Sequence, residues 1–397
     1  MAMKVVHCSD WHLGAGLHGF DRLEEYRAAL MDVAEVVGVE QPDAVIVAGD
    51  VFDTAQPSAA AQNVFAEVIM RMHCLAPDAM IVITAGNHDS ASRHEVFRLP
   101  WRLANVITVG VIPPADDFDA LAAKLIIPVP GKGFVVALPY AGRRLNSEPD
   151  LPSRLLERVA AMNPDGLPVV MTAHLPVRKA DFTGHSRYDD DTLVGNVETI
   201  PLSSLGTGYD YLALGHIHGC QRLDAEGRVW YSGTPIHTSF DEKGPRCLLI
   251  ADIPAHGAIP DVMVHPIPSP AELISLPETG TATFPEALAM LAALDNSCTA
   301  YVRLNVTQPE PLPSDAEATA RRTAASKACR FCGIVYTRQA DNDETDSDVA
   351  MSVNDFVSAD PMDIARRYYS LRGFDFNDET RTMISSILDE LRNSDPE

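Results

Sequence analysis

Positive charge is scarce in this chain. Its 397 residues carry 31 Lys and Arg against 55 Asp and Glu, a formal net charge of −24. Phosphate backbones are held mainly by Lys and Arg, so global charge excludes a general basic binder of nucleic acid. Any such contact would need local cations, metal ions or a partner. Long apolar runs are missing too: none approaches the ~20 residues a membrane helix needs. The amino terminus, Met-Ala-Met-Lys-Val-Val, enters a strand-like run at once, without a secretion-signal layout. Seven cysteines, an odd number spread over a long chain, do not describe a disulfide framework. These absences predict a cytoplasmic protein with no membrane association. No internal repeat is visible.

A normal apolar content is present. Hydrophobic residues at 46% can fill a core, and the length suits two or three domains. Five short aliphatic and β-branched runs read as buried strands. Residues 5–9 lead to Asp10-Trp11-His12, and 44–48 lead to Gly49-Asp50-Val51-Phe52-Asp53. Residues 80–84 lead to Gly86-Asn87-His88-Asp89, 168–172 to His174, and 211–214 to Gly215-His216-Ile217-His218. Chemistry in α/β sheets collects where such strands end. Asp10, His12, Asp50, Asn87, His174, His216 and His218 can therefore meet on one rim.

Around these runs, residues 1–265 alternate strands with helical stretches at 22–37 and 58–73, which argues an α/β layered fold. Pro266-Ile-Pro-Ser-Pro270 is a stiff breaker and the expected domain boundary. Residues 271–339 then read as a small α+β module. It has a helix from Phe284, a strand at 300–306, a second helix capped by Ser314 and Glu317, and a strand at 331–337. An acidic linker, 340–348, precedes two expected helices within 349–397. The second carries the stripe Ile384, Ile387, Leu388 and Leu391.

Two-metal phosphoryl chemistry needs two cations ~3.5–4 Å apart that clamp the attacking and leaving oxygens. A carboxylate shared by both is an economical way to hold them, and Asp50 suits that place because Gly49 permits a tight turn at the strand end. Asp10 and His12 are two apart and share a face of an extended strand, as do His216 and His218. Carboxylate, imidazole and amide donors without thiolate suit Mn, Fe or Zn in a reactive centre better than a structural zinc site. The resulting assignment puts Asp10, His12, Asp50 and His218 on one ion, and Asp50, Asn87, His174 and His216 on the other. Each motif alone is an ordinary strand-end polar residue. Five in order, each after a strand, are not.

In these motifs the sequence resembles the calcineurin-like metallophosphoesterases, whose pattern is D-x-H, G-D-x-x-D, G-N-H-[DE], H and G-H-x-H. It is closer still to the SbcD-type nuclease subunits within them, at Ser9–Gly14, Val47–Thr54, Ala85–Ser90, Leu214–His218 and Tyr231–Pro235 with Ser239-Phe-Asp-Glu242. The resemblance implies a four-layer α-β-β-α sandwich with a small α+β cap and C-terminal helices. It also implies a nuclease that uses two divalent ions, Mn²⁺ foremost with Fe or Zn possible. Such an enzyme cuts DNA ends and hairpins as a 3′→5′ double-strand exonuclease and single-strand endonuclease in repair and recombination. An SbcC-type coiled-coil ATPase would bind the C-terminal helices of a homodimer within a heterotetramer. His88 would stabilise charge at the scissile phosphate and help the leaving oxygen depart, Asp53 would orient His88 or keep it charged, and Asp89 would support the ligands. The other readings are a stand-alone small-molecule or cyclic-nucleotide phosphodiesterase, and a binding protein with a vestigial site.

Several decoys read otherwise. Gly14-Ala-Gly16-Leu-His-Gly19 fits G-x-G-x-x-G, but Asp10 to Leu13 intervene where the dinucleotide motif needs its first glycine. It reads as a flexible loop leaving the rim. Cys329-Arg-Phe-Cys332 lacks the second pair a zinc site needs. His7 reads as a core histidine, and His185 and His237 as loop histidines. Arg321, Arg322, Lys327, Arg330 and Arg338 are the densest basic cluster, equally consistent with a solvated helix face.

Overall fold

The computed structural model describes residues 1–114, 116–178, 180–181 and 199–338, with 362, 364–366, 376–377 and 380–385 beyond them. The acidic linker, His185, and Ile387, Leu388 and Leu391 lie outside the described residues, so the C-terminal stripe is seen only at Ile384. Two compact units divide the chain, Met1–Arg338 and Gln339–Glu397.

Among the described residues of the first unit, fifteen strands form three sheets: β1 (Met3–Cys8), β2 (Ala44–Ala48), β3 (Met80–Thr84), β4 (Val106–Val109), β5 (Ile126–Val129), β6 (Gly133–Leu138), β7 (Val169–His174), β8 (Tyr211–Gly215), β9 (Gln221–Arg222), β10 (Val229–Tyr231), β11 (Cys247–Ile253), β12 (Asp261–Pro266), β13 (Leu273–Leu276), β14 (Tyr301–Gln308) and β15 (Arg330–Arg338). The first sheet has the order β12-β11-β1-β2-β3-β4 and the second β5-β6-β7-β8-β10-β9. Strands β1 to β4 run parallel, as do β6, β7, β8 and β10.

Side chains alternate across a strand, and both faces here are apolar. Ala44, Ile46 and Ala48 of β2 join the core between the two sheets. Val45 and Val47 join the core beneath α1 (Leu23–Glu40) and α2 (Ala59–Leu75). Such double burial is why these strands read as continuous hydrophobic runs. α1 buries Tyr26, Leu30, Val33 and Val37, a helical stripe, and α2 opens on Ser58, whose hydroxyl accepts from the Ala61 amide at 3.1 Å. On the far side of the second sheet, helices Phe118–Leu125 and Leu151–Met162 bury Leu121, Leu125, Leu155 and Val159. The result is the four-layer α-β-β-α sandwich that the family resemblance implied.

The third sheet, β13-β14-β15, is wholly parallel, with helix Phe284–Ala293 crossing between its first pair and helix Ala316–Ala324 between its second. It has its own core around Val302, Leu304, Leu291 and Ala320. One cap differs from expectation. The helix expected to start at Ser314 begins at Ala316 without a side-chain cap, and Glu317 instead pairs with Arg321 at 2.8 Å. The capping box forms at Thr283 and Glu286. A polar tie fastens this sheet to α1: Tyr301 donates to Glu25 at 2.7 Å, and the buried Arg22 donates to the same carboxylate at 2.7 Å while lying 5.0 Å over the Tyr301 ring.

Candidate metal centre

The parallel strands β1, β2 and β3 end at one rim of the first sheet, and β7 and β8 end facing them from the second. Tight backbone turns follow these ends. Asp10, His12, Asp50 and His216 all have positive φ, at 52°, 45°, 48° and 100°. L residues rarely adopt this region, and such strain collects at functional sites. Main-chain bonds hold the turns: the amides of Asp10 and His12 donate to the carbonyls of Gly49 and Asp50, each at 3.0 Å.

The seven expected ligands come together. Asp10, His12 and His218 present donor atoms within 4.8 Å of one another, as do Asp10, Asp50 and His174. His12, Asp50 and His88 form a third such group. Asn87 Oδ1 lies 2.9 Å from His174 Nε2 and 3.0 Å from His216 Nδ1. Asp50 Oδ2 lies 3.2 Å from His174 Nε2 and 3.8 Å from His12 Nε2. Both carboxylates are buried.

Supporting bonds fix which ring nitrogen faces the centre. His174 Nδ1 donates to the Ala48 carbonyl at 2.8 Å, leaving Nε2 for Asp50 and Asn87. His218 Nδ1 meets the buried Glu242 carboxylate at 2.8 Å, and Arg246 braces Glu242 at 3.0 Å. Glu242 closes one of the stretches that carry the family resemblance, but its pairing with His218, 24 residues away, has no local signal in the sequence. Asp89 accepts from the amides of Val51, Phe52 and Gly86 at 2.9–3.1 Å, tying together the two loops that carry Asp50 and Asn87.

His88 is bonded through its amide to Asp50 Oδ1 at 2.9 Å and through Nδ1 to the Asp53 main-chain carbonyl at 2.9 Å. Asp53 thus meets His88 through its backbone, while its carboxylate stands 3.6 Å from His12 Nδ1. Among the other histidines, His7 is fully buried in the core, between the Tyr211 hydroxyl at 2.9 Å and the Leu214 carbonyl at 3.2 Å. His237 is half-buried, with Nε2 donating to the Gly244 carbonyl at 3.1 Å. Cys329 is half-buried and Cys332 buried. The basic cluster is engaged within the protein. Arg321 pairs with Glu317, Arg322 lies 3.8 Å from Asp315, and Lys327 caps the Leu294 carbonyl. Arg330 lies 3.4 Å from Glu25, and Arg338 donates to the Pro309 carbonyl.

The electrostatics ask for cations. Burial pushes the Asp10 carboxyl up. Burial also acts to raise Asp50, but His174 and His12 outweigh it and hold that carboxyl well below the usual range. Burial works against charge on His12 and His174, yet the facing carboxylates push both imidazoles up to about 9. His12 Nε2 is buried without a hydrogen-bond partner among the described residues. An unpartnered imidazole nitrogen beside two buried carboxylates fits a divalent cation, which would take the place of these protons.

The sequence pattern of the family described as calcineurin-like phosphoesterase matches residues 3–220. The chain belongs to that family, and with this site it is a metal-dependent phosphodiesterase. It is 34% identical over 371 residues to the SbcD component of the SbcCD nuclease of Rhodobacter capsulatus, covering 85% of this chain and 88% of that one. The SbcD components of the same nuclease from Escherichia coli and Bacillus subtilis are 29% and 30% identical, over 61% of this chain and 62% and 64% of theirs. Within the family the chain is thus an SbcD-like nuclease component, and a stand-alone small-molecule phosphodiesterase is not favoured. No helix among the described residues is long and apolar enough to cross a membrane.

Proposed function

We propose that the chain hydrolyses DNA phosphodiesters at ends and hairpins, as a 3′→5′ double-strand exonuclease and single-strand endonuclease in repair and recombination. The observation that carries this reading is the convergence of seven ligand residues from both sheets on one buried rim. Asp10, His12, Asp50 and His218 would hold one divalent ion, and Asp50, Asn87, His174 and His216 the other, with Mn²⁺ the favoured metal and Fe or Zn the alternatives. Held there, the ions would supply a metal-activated nucleophile at neutral pH and stabilise charge on the reacting oxygens. His88 Nδ1 is committed to the Asp53 carbonyl. Its Nε2 is the nitrogen we assign to the scissile phosphate, where it steadies charge and passes a proton to the leaving oxygen. Asp53 positions His88 through that carbonyl.

We place the assembly as follows. Residues 271–339 act as a cap over the DNA. Residues 349–397 bind the coiled coil of an SbcC-type ATPase. Exposed Met70, Phe97 and Leu103, which line one shallow apolar depression, support a homodimer, as half of a heterotetramer in the cytoplasm.

The test is a Mn²⁺ cleavage assay on end-labelled linear duplex, hairpin and closed circle, with bis-p-nitrophenyl phosphate and His88→Ala alongside. Cutting of ends and hairpin, sparing of the circle, and loss of turnover with metal retained in the variant support the reading. Full activity in His88→Ala overturns the role of His88. Turnover of the small ester alone, even with the ATPase added, overturns the nuclease. Truncation after Asp348 should abolish ATPase binding and leave metal-dependent turnover intact.

A further inference from the structure

A cavity of about 380 Å³ opens beside the metal centre, within the ~300–1,000 Å³ range of small-ligand pockets. His12, Asp53 and His218 form its inner wall. Its outer wall is Arg303, from β14 of the third sheet, with His18, Ser239 and Asp241. Arg303 is held firmly: its guanidinium lies 4.8 Å over the Phe240 ring and donates to Asp241 at 3.0 Å and Ser275 at 3.2 Å. None of these contacts is to a candidate metal ligand. Its Nε is buried with no hydrogen-bond partner among the described residues, an arrangement proteins rarely leave without use.

We propose that Arg303, with His18, forms a second phosphate subsite that takes the phosphate next along the strand from the one being cleaved. The proposal rests on the nuclease reading and names how that site grips a polynucleotide. An arginine fork is suited to phosphate oxygens. Two carboxylates face the cavity and oppose this. Asp53 lies against His12, on the side where the metal ions would neutralise it. Asp241 is 68% exposed against 14% for Arg303, so its pairing is largely screened by solvent and yields to an entering phosphate. The subsite also supplies positive charge at the point of need in a chain whose net charge is −24.

The test uses the Mn²⁺-loaded full chain and two pairs of chromogenic diesters. One pair is thymidine 5′-(p-nitrophenyl phosphate) with a free 3′-hydroxyl or a 3′-phosphate. The other is thymidine 3′-(p-nitrophenyl phosphate) with a free 5′-hydroxyl or a 5′-phosphate. In the wild type, the extra phosphate should lower KM roughly tenfold in one pair, as one charged hydrogen bond allows. Arg303→Gln should erase that ratio, and Arg303→Lys, kept as a second variant that retains charge without the fork, should recover only part of it. Equal KM within both wild-type pairs, or an unchanged ratio in folded Arg303→Gln, overturns the subsite. Failure of the loaded wild type to cleave any of the four diesters is a different result: it overturns the phosphodiesterase reading and takes the subsite with it.

Discussion

A Cβ on Gly86 would lie 2.0 Å from Asp50 Oδ1 and 2.4 Å from the Asp50 amide nitrogen. The carboxylate at the middle of the candidate metal centre occupies the space that any other residue at position 86 would need. Gly86→Ala must therefore push Asp50 aside or shift the loop that carries Asn87. Overpacking of this kind costs about 1–3 kcal/mol. The greater loss should be in metal binding, since Asp50 is assigned to both ions. Metal content after dialysis should fall from two ions to one or none. Two tightly held ions in Gly86→Ala would contradict the shared role of Asp50.

Glu242 orients His218 from behind at 2.8 Å. Carboxylates that hold a metal-binding imidazole are worth roughly 10–100-fold in metal affinity. Glu242→Gln preserves the shape but weakens both its bond to His218 and its hold on the buried Arg246. Titration with Mn²⁺ against a competing chelator should show one of the two sites weakened by that factor and the other little changed. Equal weakening of both would mean that Glu242 stabilises the whole rim instead.

Much of this centre was legible because the strands that carry it are buried on both faces. Double burial leaves an apolar run, and the polar residue that ends the run stands out, as Asp50 does after Val45-Ile46-Val47-Ala48. The role of Glu242 behind His218 and the presence of Arg303 at the site were not legible, because both arise from tertiary contacts, across 24 residues and across sheets. Nor was the order of the first sheet, where β11 returns antiparallel beside β1 from more than two hundred residues away. Local signals also misled. Thr283 to Glu286 and Ser314 to Glu317 have the same capping spacing, yet only the first pair closes a capping box. In the second, the helix starts later and Glu317 finds Arg321 one turn on.

The tie between α1 and the third sheet separates buried from exposed ion pairs. Arg22 is 1% exposed in its side chain and has Glu25 as its charged partner beside the His237 carbonyl, whereas Arg71 and Glu35 pair on the surface. Removing one partner of a buried pair costs about 3–5 kcal/mol, and a surface pair contributes ~0–1. Urea unfolding should find Glu25→Ala far less stable than Glu35→Ala. Tyr301→Phe, which loses one neutral donor while Arg22 still satisfies Glu25, should cost about 1 kcal/mol. Equal effects for Glu25→Ala and Glu35→Ala would show that α1 is not anchored through Arg22.

Without metal, stability should fall on both sides of about pH 6.5, for opposite reasons. His12 and His174 are pushed up to about 9 in the folded protein from an ordinary 6.5. The folded state binds their protons more tightly than the unfolded state does. Their contribution is full below 6.5 and is lost as pH rises through 9. His7 has the reverse sign: burial lowers it to about 3, so the unfolded chain takes up its proton first. Its contribution is full above 6.5 and is lost as pH falls toward 3, with the lowered His94 and His237 adding to the same limb. Thermal unfolding in chelator from pH 4.5 to 9 should give a maximum near 6.5. His7→Gln should flatten the acid limb and leave the alkaline limb as it was. Saturating Mn²⁺ should remove the alkaline limb, because the metal replaces the protons of His12 and His174 and binds more tightly as pH rises. An alkaline limb that persists with metal bound would show that those two imidazoles are not ligands.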